Sequence, residues 1–120
     1  MIMQQSVSIK PVINIYYDSR ISKSDFISLL HGVEEEGIPY ELVSENETDA
    51  VNLSYAACCS SKLGVGLGVS KDEIALHYEK LDKSSPLYKI NISSKKNIVR
   101  ALGANAARLV KRIPFKDIQE

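Results

Sequence analysis

The segment KKNIVRALGANAARLVKR, Lys95 to Arg112, places Ile98, Leu102, Ala106 and Leu109 on one stripe that continues into Ile113. The spacings are four, four, three and four. That pattern predicts an amphipathic helix with a single apolar face, which must lie on a core built elsewhere in the chain. Gly103 falls inside it and costs roughly 1 kcal/mol relative to alanine. A glycine at that cost points to close packing against another backbone. Pro114 ends the helix.

The rest of the chain supplies what that face can cover. PVINIYY, Pro11 to Tyr17, is β-branched and aromatic and reads as a first strand. A helix is expected from about Asp25 to Glu36, capped by Ser24. Phe26, Leu29, Leu30 and Val33 form its apolar stripe. Gly37 suits the left-handed position after a helix end, and Pro39 prevents continuation. YELVS, Tyr40 to Ser44, reads as a second strand, and a small helix follows from about Thr48 to Ser60. LGVGLGVS, Leu63 to Ser70, is a glycine-rich third strand. EIALHY, Glu73 to Tyr78, is a fourth, antiparallel to the third, and Leu87 to Ile92 form a short edge strand. The order β-α-β-α-β-β-α predicts an α/β sandwich: a mixed, partly parallel sheet with packed helices.

The 120 residues fit one domain, 1–120, with one core. Fifteen basic and fifteen acidic residues give zero net charge. No basic excess points to nucleic acid or an anionic membrane. No apolar run approaches the roughly 18–20 residues of a membrane span. The N-terminus lacks a signal-peptide core, so the chain is expected in the cytoplasm. The two cysteines, Cys58 and Cys59, are adjacent. They are expected to be reduced and packed, since neighbours close no useful loop and no second pair stands at zinc spacing.

Few residues offer chemistry. GVGLG, Gly64 to Gly68, resembles a phosphate turn only superficially, because it lies inside a strand that leads to another strand. Close approach of another backbone, such as the Gly103 helix, accounts for it better. His31 and His77 have no partner histidine at ligand spacing, and Ser60 and Ser61 lie in no nucleophile elbow. Lys95, Lys96, Arg100, Arg108, Lys111 and Arg112 read as a solvated helix face or a partner-facing patch.

VEEEG is harder to place. Glu34, Glu35 and Glu36 fall in the last turn of the first long helix, at its negative pole, where anions are disfavoured. Consecutive helix residues are about 100° apart, so the three cannot share a face. They are either a solvated end or a source of one carboxylate for a cation outside the domain.

Three segments carry a resemblance: GVEEEGIPYEL, SSKLGVGLGVSKDEIALHYEKLDKSSPLY and GANAARLVKRIPFKDI. Together they cover about half of the chain and resemble the small subunit of the diol dehydratase/glycerol dehydratase reactivating factor. The resemblance implies a fold similar to the dehydratase medium subunit. It implies a non-catalytic chain paired with a large ATPase subunit in a heterotetramer of two large and two small chains. The complex would release damaged cobalamin from inactivated dehydratase by subunit swapping, with the dehydratase large subunit as client. ATP or ADP would be bound by the large subunit. A Mg²⁺ ion at the interface would be contacted by the middle glutamate, Glu35. A microcompartment location is a further possibility. Two other readings remain: a medium-subunit component of a cobalamin-dependent dehydratase, and a stand-alone small-molecule enzyme, which no acid–base pair supports.

Overall fold

Strand β1, Ile13–Asp18, lies inside a five-stranded sheet, and the computed structural model describes residues 11–118. Of the N-terminal segment on which the expectation about a signal peptide rests, residues 1–10 lie outside the described residues. The sheet order is β2-β1-β3-β4-β5, with β2 at Tyr40–Glu45, β3 at Val65–Val69, β4 at Glu73–Tyr78 and β5 at Tyr88–Asn91. β1 pairs parallel with both β2 and β3, and β3-β4 and β4-β5 are antiparallel. The mixed α/β architecture is therefore as expected.

Helix α1, Ile27–Glu35, links β1 to β2, and α2, Ala50–Cys59, links β2 to β3. Helix α3, Lys96–Lys111, follows β5. Alternation along the strands sorts the faces. Ile13 and Ile15, Val65, Leu67 and Val69, and Ile74 and Leu76 point to a core shared with Leu29, Leu30 and Val33 of α1 and Ile98, Val99 and Leu102 of α3. The opposite face presents Asn14, Gly66, Gly68, Ala75 and His77, and α2 lies on it. The Asn14 amide donates to the Ala57 carbonyl at 3.2 Å.

The close approaches explain the glycines and correct one expectation. A Cβ on Gly66 would strike the backbone of Ala57 and Cys58, and one on Gly68 the backbone of Ala50 and Ser54. The helix on the β3 glycines is thus α2, not the Gly103 helix. Gly103 instead meets the Leu29 carbonyl of α1, and Gly32 meets the Arg100 carbonyl of α3. The two helices touch backbone to backbone on the other face.

Helix α1 also begins differently from the expectation. A short 3-10 helix, Lys23–Phe26, precedes it, and the Ser22 amide donates to the Asp25 carboxylate at 2.9 Å. Ser24 therefore lies within this turn and is no cap. The break comes where Phe26 turns its ring into the core beside Tyr17, with ring centroids 5.4 Å apart. The second helix starts at Ala50 behind Asp49, whose side chain accepts the Asn52 amide at 3.1 Å. Arg112, in the left-handed conformation, ends α3 before Pro114 is reached.

Candidate interface site at the acidic end of α1

Helix α1 stops at Glu35, with Glu36 as its C-cap and Gly37 at φ 78°. The Gly37 amide donates to the Glu34 carbonyl at 3.0 Å, as expected of a left-handed cap. The three carboxylates leave the helix in different directions, and each finds a partner within the chain.

Glu34 accepts the Tyr40 hydroxyl at 3.0 Å, which ties the helix end to β2. Burial, and then the Glu34 carboxylate, push the Tyr40 phenol above its ordinary value. Glu35 forms an ion pair with Arg100 of α3. Glu36 turns to the last turns of α3, where Lys111 Nζ lies 2.8 Å and Arg108 Nε 3.2 Å from its carboxylate. Lys111 also donates to the Glu36 carbonyl at 2.9 Å. The Lys111 bond, with Arg108 behind it, holds the Glu36 carboxyl below the usual range against the opposing effect of burial.

Two of the three charges at the negative pole, Glu35 and Glu36, are therefore compensated by cations of α3, while Glu34 has the neutral Tyr40 hydroxyl. Two of the cations assigned to a solvated or partner-facing patch, Arg108 and Lys111, belong to this clamp. Arg108 reaches further, donating to the Pro114 carbonyl at 3.0 Å, so the clamp also fixes the chain leaving α3.

The carboxylates differ in what they can still offer. Glu36 is 12% exposed and uses both oxygens. Glu35 is 37% exposed and Arg100 is 53% exposed. Among the described residues, no three His, Cys, Asp or Glu side chains converge as a metal site. A hard cation such as Mg²⁺ takes carboxylate oxygens, and Glu35, the more exposed of the two carboxylates, could supply one of them.

The other candidate residues have structural roles or stand apart. His77 is fully buried, accepting the Tyr78 amide at Nδ1 (3.0 Å) and donating from Nε2 to the Lys83 carbonyl (3.0 Å). His31 is exposed on α1. Ser61 donates to the Val12 carbonyl at 2.7 Å, and Ser60 to the Ala56 carbonyl at 2.7 Å. Cys58 is buried, and desolvation leads the causes that push its thiol up to about 12. Cys59 is exposed, so only one cysteine is packed: adjacent helix positions cannot both face the sheet.

Two features escaped the sequence reading. Arg100 stands 65 residues from Glu35, a separation that no local pattern bridges. Asp18, 1% exposed at the end of β1, is bridged by Arg20 at 2.6 Å. The Arg20 hydrogen bonds lower its carboxyl to about 2. The D-S-R spacing was the available signal for this pair.

Residues 10–116 match the family model described as dehydratase medium subunit. The propanediol dehydratase-reactivating factor small subunit of Citrobacter freundii is 40% identical over 89 residues, covering 74% of this chain and 77% of that protein. The diol dehydratase-reactivating factor small subunit of Klebsiella michiganensis is 39% identical over 90 residues, covering 75% and 72%. Among solved structures, a chain of the diol dehydratase-reactivating factor complexed with ADP and Mg²⁺ matches with a TM-score of 0.86 at 35% identity, over 90% of this chain and 99% of that one. A glycerol dehydratase reactivase chain matches with a TM-score of 0.86 at 34% identity, over 92% and 100%. The chain belongs to the dehydratase medium-subunit family, among its reactivating-factor small subunits.

Proposed function

We propose that this chain is the non-catalytic small subunit of an ATP-dependent factor that releases damaged cobalamin from inactivated diol or glycerol dehydratase. What carries the reading is a likeness to reactivase chains that spans 99% and 100% of their length. A large ATPase partner would bind the nucleotide, in an assembly of two large and two small chains. The small chain would leave that partner and take the place of the dehydratase subunit whose fold it shares. Glu35 would give one carboxylate oxygen to a Mg²⁺ held mainly by the large subunit, and Glu36 would keep the end of α1 in place. The whole chain, 1–120, would act as one domain in the cytoplasm or a microcompartment. No helix of the described residues is long and apolar enough to cross a membrane.

Co-expression with a large reactivase subunit tests this. The two should co-purify, and Glu35→Ala should weaken the complex in Mg²⁺ while leaving the isolated chain folded. Assembly that ignores both the substitution and the metal would refute the role given to Glu35. The family model, named for a dehydratase subunit, favours a second reading: a component of the dehydratase itself. Cobalamin titration separates the two, because only that second reading requires the assembled chain to contribute to cobalamin binding.

A further inference from the structure

Glu35 and Glu36 are adjacent, yet their cations are held in different ways. Arg108 and Lys111 are 26% and 33% exposed and converge on a carboxylate that is 12% exposed. Arg100 reaches Glu35 alone, and about half of its side chain faces solvent. Its backbone is fixed, because the Arg100 carbonyl lies against Gly32. Its side chain is not confined in the same way. It borders an open cavity of about 430 Å³ that is also lined by Ile27, Ser28, His31, Lys96 and Asn97. The guanidinium has room to leave Glu35 without moving α3.

We infer that Arg100 is an internal stand-in for the interfacial metal: it neutralises Glu35 in the free subunit and yields that carboxylate on assembly. The inference rests on the reading of Glu35 as a metal contact. On assembly, the Glu35–Arg100 pair opens, the guanidinium turns into the cavity, and the freed carboxylate oxygen becomes a ligand. On release the pair closes again, so the departing subunit does not expose an uncompensated anion at the negative pole of α1. Exposed ion pairs are weak, so Arg100 lowers affinity only about two- to fivefold. A modest competitor of this kind suits a subunit that must detach.

The test is the Mg²⁺ concentration for half-maximal assembly of separately purified small and large subunits, read by sedimentation. Arg100→Gln should lower it about two- to fivefold, and Arg100→Lys, which keeps a cation, should stay near wild type. In a Glu35→Gln background, Arg100→Gln should have no further effect. If Glu35→Gln weakens assembly but Arg100→Gln leaves the Mg²⁺ requirement unchanged or raises it, the stand-in role is wrong. If Glu35→Gln itself has no effect, the metal reading of Glu35 falls and the role of Arg100 with it.

Discussion

Glu36 lies just past the last turn of α1, and its carboxylate faces two cations from α3, Lys111 at 2.8 Å and Arg108 at 3.2 Å. Its folded-state pKa is lowered, so it favours folding only while ionised. The contribution is complete above the ordinary carboxylate value of 4.5 and is lost as pH falls from there through the depressed folded value. Glu36→Gln should therefore cost roughly 1.5–3 kcal/mol at pH 7, the scale of hydrogen bonds to charged groups. The difference should shrink toward pH 3. Urea unfolding at both pH values checks it, and a difference independent of pH would mean that packing rather than charge holds the clamp. Asp18 follows the same sign over a lower window, from 3.8 down to about 2. Asp18→Asn should accordingly flatten the acid limb of the stability profile below pH 4.

Helices α1 and α3 depend on two glycines. Gly32 and Gly103 let the backbones meet, each against a carbonyl of the other helix. Gly32→Ala gains roughly 1 kcal/mol of helix propensity. The new Cβ meets backbone atoms of Arg100 and Ala104, which cannot rotate aside. Overpacking of this sort costs about 1–3 kcal/mol, so the net effect should be destabilising. A higher denaturation midpoint for Gly32→Ala would contradict this. The same contact sets how much was legible in the sequence. Gly103 announced a close approach because it interrupts a strong apolar stripe. The VEEEG segment announced a charge in an unfavourable place, and EIALHY coincided with β4. The partner of the β3 glycines was misread, because a glycine says that something is near but not what. The 3-10 start of α1 and the Arg100 pairing depend on packing across the fold, which helical periodicity does not encode.

At the scale of the whole molecule, a zero net charge leaves no net monopole attraction for a partner, so the local arrangement of charges and contacts carries more of partner choice. A subunit that exchanges between two partners also needs comparable affinities for them, since a large difference would trap it on one. A metal ligand used on only one side, as proposed for Glu35, would make that balance adjustable. If the proposed swap operates, labelled small subunit should move from the large reactivase subunit to the dehydratase fraction when ATP is added, and remain in place without it. Chelation of Mg²⁺ should weaken the first complex and spare the second, because Glu35 would meet a metal only on the reactivase side. Native electrophoresis of the mixture with and without chelator reads both effects. Equal loss of both complexes would place the metal outside this interface. Failure of the label to transfer with ATP would rule out exchange as the way this chain works.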